Sequence, residues 1–325
     1  MNLTHIALAR HHAYTLLSRL FLDGLTEELW PYAQAVPELT AVLPSNPNFD
    51  ETAVAHHTLF AFNLFPYESI YRDASGLLGG SVTDSILSSY QDAGFAIDDD
   101  ATSSDHIGHE LALLAFLCGA EADAREDNLP TVALQMQVRQ RDFLQKHLLN
   151  WLFPFVLAVK QQGNAFFTAV ATLTTDLITN HATELSSFVN LTIPNLPDPP
   201  DLLANEKTSL KDIAAYLTNP VYCGIFLSRD DVGRIARAHN LPRGFGKRDL
   251  MLHNLLKAAV QYDALPNLLE TLHTITQDWV AAYQQFAEET PILTPFLQIW
   301  NGRVQTTQQL LTTIQEASGE LASNE

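Results

Sequence analysis

Apolar residues recur with helical spacing along almost the whole chain, and this pattern restricts the fold more than any other feature of the sequence. In the first segment, Leu3, Ile6, Leu17 and Phe21 fall on one face of a helix. Alternation typical of strands is scarce, and neither an internal repeat nor a run of coiled-coil heptads is found. The sequence therefore predicts an all-α fold, a helical bundle with a helical C-terminal extension.

Capping and helix-breaking residues place the predicted helix ends. We expect the first helix to end at Asp23, a later one to run from an Asp50 cap to Pro66, and another from a Ser81 cap to Gly94. Further helices are expected after Thr26 and over 130–153, 165–185, 210–217, 265–289 and 295–317, with a small helical hairpin around "LPRGFGKRD".

Four prolines divide the chain, since Pro194, Pro197, Pro199 and Pro200 lie within one short stretch. Such a stretch is typical of an extended, partly stiff connection. We therefore expect a helical domain over residues 1–190, a proline-rich linker over 191–209 and a helical extension over 210–325 that packs on the first part. A length of 325 residues fits one large or two modest domains.

The charge is strongly acidic and unevenly spread. The formal net charge is −19, from 18 basic and 37 acidic residues, so the chain should repel nucleic acid and anionic membranes. The acidity is equally compatible with a role in solubility alone. Residues 229–257 hold seven Lys or Arg against three Asp, which makes one basic segment in an acidic chain.

Cysteine use and hydropathy indicate the compartment. Cys118 and Cys223 lie far apart in apolar surroundings, which predicts no disulfide framework and fits a reducing environment. The N-terminal sequence lacks the pattern of a secretory signal, and no uninterrupted apolar run reaches the roughly 18 residues that a membrane span needs. We expect a soluble cytoplasmic protein without membrane insertion.

The stretch "TSSDHIGHELALLAFLCGA" from residue 102 carries Asp105, His106, His109 and Glu110 at the start of an apolar helix. One interpretation is a metal or catalytic site. A zinc site needs three or four ligands and a di-iron bundle needs two Glu-x-x-His motifs, and the sequence has neither HExxH nor a paired ExxH. Asp105 can equally cap the helix, and the helix dipole there disfavours a charged His106.

Three segments in series resemble one protein family. "FPYESIYRDASGLLGGSVTDSILSSYQDAG", "SSDHIGHELALLAFL" and "FLQKHLLNWLFPF" are similar, in order and spacing, to three blocks of the TorD/DmsD/NarJ-like chaperones, which mature redox enzymes. The resemblance covers about residues 1–190. It departs at Thr102 and Ser103, where the family has a Glu-Pro pair.

The resemblance implies an all-helical chaperone with no catalytic residue, metal or cofactor of its own. Its implied partner is the catalytic subunit of a molybdenum-cofactor oxidoreductase, held by its twin-arginine leader peptide or another apolar segment. The third block supplies Phe143, His147, Leu148 and Trp151, which we interpret mainly as packing residues. The implied client-binding residues are Pro66, Tyr67, Glu68, Ser69, Tyr71, Asp105, His106 and Glu110.

Two other hypotheses stay open at this point. One is a helical metalloenzyme that uses Asp105, His106, His109 and Glu110. The other is a non-catalytic scaffold whose basic 229–257 segment binds an acidic partner or a nucleotide-like group. Within the chaperone hypothesis, Asp105 and His106 either contact the client or anchor the loop that does.

Overall fold

Helices make up most of the structure, a computed structural model that describes residues 2–97, 102–185, 196–205, 207–242 and 244–323, with side chains up to 317. No strand occurs in these ranges, and an isolated antiparallel bridge joins Tyr67 to His106. The predicted all-α class is confirmed. No helix within the described ranges is long and apolar enough to cross a lipid bilayer.

The chain divides into two compact units. Unit 1 comprises Met1–Asp73 and Leu77–Pro194, and unit 2 comprises Ala74–Gly76 and Asn195–Glu325. Of the predicted linker, residues 191–195 and 206 lie outside the described residues. The linker over 191–209 and the packing of the extension on the first part therefore stay predictions.

Unit 1 contains ten α-helices among its described residues. A π-helical turn over Thr58–Asn63 continues α4, and a 3-10 turn over Leu148–Asn150 separates α8 from α9. The α-helices are α1 (Leu3–Leu22), α2 (Trp30–Gln34), α3 (Pro37–Thr40), α4 (Phe49–His57), α5 (Glu68–Arg72), α6 (Ser81–Ala93), α7 (Ile107–Glu126), α8 (Pro130–Lys146), α9 (Leu152–Gln161) and α10 (Ala165–Leu185).

The closest helix pair in unit 1 is α1 and α7, and a glycine makes that approach possible. A Cβ atom at Gly108 would lie 2.5 Å from Cγ of Leu22 and 3.0 Å from the Ser18 carbonyl. The Ser18 hydroxyl donates to the Gly108 carbonyl at 2.7 Å, and the His11 Nδ1–H donates to the Ala115 carbonyl at 2.9 Å. These bonds fix the register of α1 on α7, whose first turn carries the candidate site.

A chain of buried polar side chains crosses the same bundle. Gln140 donates to Glu121 at 3.0 Å, so its carbonyl oxygen accepts from His181 Nε2–H at 3.0 Å. His181 Nδ1 in turn accepts from the Tyr14 hydroxyl at 2.9 Å. Burial holds the pKa of His181 well below its usual range, so the ring stays neutral. The polar groups of this core are thereby satisfied.

The predicted helix over 130–153 is wrong at its C-terminal end. Helix α8 ends at Lys146, because His147 leaves helical geometry with φ −120° and ψ −89°. The "FPF" sequence does not break a helix but begins one. Pro154 lies in the first turn of α9, where its missing N–H would have no intrahelical acceptor.

Several predicted caps are also shifted by one or two residues. Asn48, not Asp50, caps α4, because its side chain accepts from the N–H groups of Asp50 and Glu51. Gly80, with φ 79°, precedes α6, and Ser81 is its first helical residue. Phe116 is 41% exposed, so the apolar helix α7 is not buried on all sides.

Unit 2 contains six α-helices within the described residues. They are α11 (Leu210–Leu217), α12 (Pro220–Cys223), α13 (Arg229–Ala238), α14 (Arg248–Gln261), α15 (Leu265–Glu289) and α16 (Thr294–Ser323). The two long helices α15 and α16 pack against each other around buried Trp279 and Trp300. Ser228 and Asp231 form a reciprocal capping box at the start of α13.

Gly224 allows the chain to pass closely over α16. Its φ is +76°, and a Cβ there would lie 2.7 Å from the Val304 nitrogen and 2.8 Å from the Trp300 carbonyl oxygen. The Tyr283 hydroxyl donates to the Gly224 carbonyl at 2.9 Å, so the turn is held from the opposite side as well.

We predict opposite effects for two Gly→Ala substitutions in unit 2. Gly224→Ala should lower the free energy of unfolding by at least about 1–3 kcal/mol, because it adds a strained left-handed residue and a backbone clash. Gly302→Ala, within α16 and with open space around its Cβ, should raise it by about 0.5–1 kcal/mol. Urea unfolding measures both. A Gly224→Ala protein as stable as the unsubstituted chain would contradict the close approach.

Candidate functional site

Two segments far apart in sequence meet through their backbones in unit 1. The N–H of Glu68 donates to the carbonyl of Asp105 at 2.9 Å, and the N–H of Ile107 donates to the carbonyl of Pro66 at 2.8 Å. We call residues 66–72 and 103–110 together the joint. It brings the first two sequence blocks into contact and places the start of α5 beside the start of α7.

Asp105 is the central side chain of the joint, and it is fully buried. Its Oδ2 accepts from the Ser69 N–H at 3.0 Å and from the Ser69 hydroxyl at 2.5 Å, and its Oδ1 accepts from the Ser103 hydroxyl. The expectation that Asp105 caps its own helix is therefore wrong. Its carboxylate satisfies a free N–H in the first turn of α5, a helix on the other segment.

His106 performs the cap of α7 that was expected of Asp105. Its Nδ1 accepts from the N–H of Gly108 at 3.0 Å, and its ring packs edge-on against the Tyr67 ring with centroids 5.0 Å apart. Burial lowers the pKa of His106 to about 3, with smaller contributions from His109 and His56. His106 is thus neutral near pH 7, as the sequence suggested.

Glu68 connects the joint to the third sequence block. Its Oε2 accepts from His147 Nδ1–H at 2.9 Å, and its Oε1 pairs with Arg72. His147 Nε2 lies 3.0 Å from the Ser89 hydroxyl, and Arg72 donates to the Lys146 carbonyl at 2.9 Å. The interpretation of His147 as a hydrogen-bonded core histidine is confirmed, and the pair also ties α5 to the end of α8.

Glu110 lies one turn into α7 with its carboxyl group completely buried. Its Oε2 is 3.4 Å from the Trp151 indole nitrogen, and the Trp151 ring lies 5.4 Å from that of Tyr71. Burial raises the pKa of Glu110 well above its usual range, and the nearby Glu68 and Asp105 carboxylates raise it further. Burial therefore favours the uncharged form of the Glu110 carboxyl group, which makes it a poor anionic partner for a ligand.

The structure brings the eight predicted client-binding residues together but buries nearly all of them. Tyr67 alone among them is half-buried, with part of its ring at the surface, and the other seven are buried. Asp105 and His106 consequently act in this conformation as anchors of the joint. Contact between these residues and a client stays a prediction.

The metal interpretation receives no support from the geometry. Within the described residues, no three His, Cys, Asp or Glu side chains are grouped so that they could hold a metal ion. Asp105 and His106 are both occupied by hydrogen bonds to the protein, and burial disfavours the charged form of Glu110.

Sequence reasoning missed the exposed apolar surface on the segment that precedes the joint. Helix α4 has no buried residue, and Val54 is 66% and Phe62 48% exposed. His56 holds this segment in place, since its Nε2–H donates to the Phe21 carbonyl at 2.9 Å and its ring packs on Phe60. The sequence shows two adjacent histidines, His56 and His57, between apolar residues. Their spacing alone does not show which side of the helix is exposed.

Comparisons with known proteins agree with this geometry. Residues 27–157, which span the joint, α7 and the end of α8, match the family described as nitrate reductase delta subunit. The chain is also 29% identical over 164 residues to "Chaperone protein TorD" of Vibrio parahaemolyticus serotype O3:K6 (strain RIMD 2210633), which covers 48% of this chain and 75% of that protein. No solved structure matches.

Both matches point to the same class of protein. The chain is similar to the redox-enzyme maturation chaperones of the NarJ/TorD type, and the resemblance inferred from the three sequence blocks is confirmed. The family match ends at residue 157 and so leaves out all of unit 2 except Ala74–Gly76.

The buried histidine of the joint predicts a specific dependence of stability on pH. The pKa of His106 is about 3 in the folded state and 6.5 in the unfolded chain. Between these two pH values the unfolded chain therefore binds a proton at His106 that the folded protein does not. The contribution of His106 to the free energy of unfolding therefore falls by about 1.4 kcal/mol per pH unit between these values as the pH is lowered. His106→Asn keeps a capping acceptor without this proton, so its stability should decline less steeply.

Urea unfolding at several pH values between 7 and about 4 measures this slope. His12→Asn, at an exposed position on α1, is the matched control and should leave the slope unchanged. Equal slopes for His106→Asn and the unsubstituted protein would show that His106 is not a neutral cap in the folded state.

Proposed function

We propose that this protein is a cytoplasmic chaperone that holds the apo form of a molybdenum-cofactor oxidoreductase until its cofactor is inserted. The client is held by its twin-arginine leader or by another apolar segment before export. The observation that carries the proposal is the joint, in which the residues typical of the family meet and leave Tyr67 at the surface. No step of this role requires catalysis by the chain.

The contact surface we propose lies beside the buried carboxylates and not on them. It consists of Asp50, Glu51, Val54, Phe62 and Tyr67, which we call the client surface. The first four lie on α4 and its π-helical continuation, and Tyr67 lies four residues after that turn. Each of these side chains is exposed or partly exposed.

The chemistry of the client surface suits a leader peptide. Carboxylates at Asp50 and Glu51 can pair with arginine guanidinium groups, while Val54 and Phe62 offer apolar area to the stretch that follows them. Tyr67 adds an aromatic ring that packs against the ring of His106. The role of the joint is to fix the position of that ring.

A fluorescent peptide with two adjacent arginines followed by an apolar stretch tests the proposal. We expect it to bind the full chain, and Phe62→Ser combined with Tyr67→Ser to weaken binding by about tenfold or more, because the anchoring apolar area is lost. Asp50→Lys with Glu51→Lys should weaken it through charge repulsion, and this effect should shrink at high salt.

Leu134→Ser is the matched control, since Leu134 is 50% exposed on α8 and so comparable with Phe62. It should leave the affinity unchanged. Equal affinities for the control and the Phe62/Tyr67 variant would remove the client surface from the binding site. If the leader probe does not bind while the mature catalytic subunit still co-purifies, the contact belongs to the mature enzyme.

A further inference from the structure

Unit 2 carries an exposed strip of aromatic, aliphatic and cationic side chains along one helix, outside the region that matches the chaperone family. The strip follows the outer face of α14 and the loop that precedes it. We call it the α14 strip. Its members are Phe245, Lys247, Leu250, Lys257, Val260 and Tyr262.

The apolar members of the strip are exposed although α14 has a complete buried face. Met251, Leu252 and Leu255 point into the core of unit 2 and are buried. Phe245 is nevertheless 81% exposed and Tyr262 is 60% exposed. Large apolar groups displayed together on a surface are typical of interaction sites.

The loop that displays Phe245 is fixed at its base. Arg248 lies over the Phe226 ring, with its guanidinium carbon 4.1 Å from the ring centroid, and donates to the Leu227 carbonyl at 3.1 Å. Gly246 has φ +119° and lies against Leu250, whose Cδ2 would be 3.1 Å from an added Cβ. Arg248 and Gly246 thus hold the backbone next to Phe245 against the rest of unit 2.

A depression at the other end of the strip offers a place for an apolar side chain. It is lined by His239, Asn240, Leu241, Pro242, Tyr262 and Ala264. Tyr262 thus belongs both to the strip and to the wall of the depression.

The cations of the strip have no acidic partner among the described residues. Lys247 and Lys257 are exposed, and neither forms an ion pair with a described residue. The same holds for Arg237 on α13. By contrast, Arg234 pairs with Asp231, and Arg248 is engaged by Phe226. Although Asp249 is also exposed on α14, basic residues outnumber acidic ones seven to three over 229–257, in a chain with a net charge of −19.

We propose that the α14 strip is a docking site for an acidic protein segment that carries apolar side chains. Glutamates or aspartates of the segment would pair with Lys247 and Lys257, and its apolar side chains would cover Phe245 and enter the depression beside Tyr262. Charge complementarity selects an acidic partner, and the exposed aromatic rings select one with apolar groups. This site does not rest on the proposed function of unit 1.

A narrow segment fits this charge distribution better than a membrane or a nucleic acid. A peptide that lies on the strip interacts electrostatically mainly with the lysines within one Debye length, which is about 8 Å at physiological ionic strength. An anionic bilayer or a long nucleic acid also meets the field of the whole acidic chain, which repels it.

A fluorescein-labelled peptide of glutamate and leucine in helical spacing is the probe, titrated into the full chain and followed by fluorescence anisotropy. We expect it to bind, with an affinity that falls as salt is added. A peptide with serine in place of leucine and one with lysine in place of glutamate should both bind at least about tenfold more weakly. Equal binding of all three would overturn the proposal.

Substitutions in the strip provide the second arm. Lys247→Glu combined with Lys257→Glu should weaken binding of the glutamate–leucine peptide by about tenfold, and Phe245→Ser should also weaken it. Lys211→Glu makes the same type of charge reversal at an exposed position on α11 and should have a much smaller effect. Thermal unfolding of each variant shows that unit 2 is folded.

Three further results would overturn the proposal. They are no binding of the glutamate–leucine peptide, unchanged affinity in the strip variants, and a loss in Lys211→Glu as large as in the double variant. Phosphatidylserine vesicles that bind the chain more tightly than the peptide does, with the same dependence on Phe245 and Lys247, would assign the strip to a membrane. Because the client surface lies in unit 1, Phe62→Ser with Tyr67→Ser should leave this binding intact.

Discussion

The hydrogen bonds from Ser69 to the buried Asp105 carboxylate are the interaction on which the site depends. Asp105 accepts both the N–H and the hydroxyl of Ser69, while its own carbonyl accepts from Glu68. A buried carboxylate is stable only when its oxygens are hydrogen-bonded or paired. The requirement holds the start of α5 against the start of α7, and the orientation of Tyr67 follows from that.

The remaining ionisable groups of the joint are arranged so that burial is tolerated. Glu68 is paired with Arg72 and His147, and burial lowers the pKa of His106 to about 3 while it raises the pKa of Glu110 well above its usual range. Burial thus favours the uncharged forms of His106 and Glu110 beside the paired Glu68. The inner side of the joint is a structural network, and the client contact that we propose is at Tyr67 and the exposed residues of α4.

The all-α class and most helix positions could be predicted from the sequence, because apolar periodicity and proline or glycine positions are local signals. The three blocks were linked by their resemblance to one family. The partner of Asp105 could not be predicted, since a cap formed by one segment on another depends on tertiary contact. The end of α8 before His147 could not be predicted for the same reason, because the His147 ring is hydrogen-bonded to the distant residues Glu68 and Ser89. Burial of the predicted client-binding residues was likewise invisible, because a family motif marks residues without distinguishing contact from support.

Amide hydrogen exchange in an Asp105→Asn variant tests the central claim most directly. Asparagine keeps one acceptor oxygen but removes the charge, so the bonds from Ser69 and Ser103 weaken together. The account predicts faster exchange at Ser69, whose N–H bonds to the carboxylate, and at the same time at Glu68 and Ile107, whose N–H groups form the backbone bonds of the joint. Exchange in α15 of unit 2 should not change. Faster exchange near residue 105 alone, with Glu68 and Ser69 still protected, would contradict it.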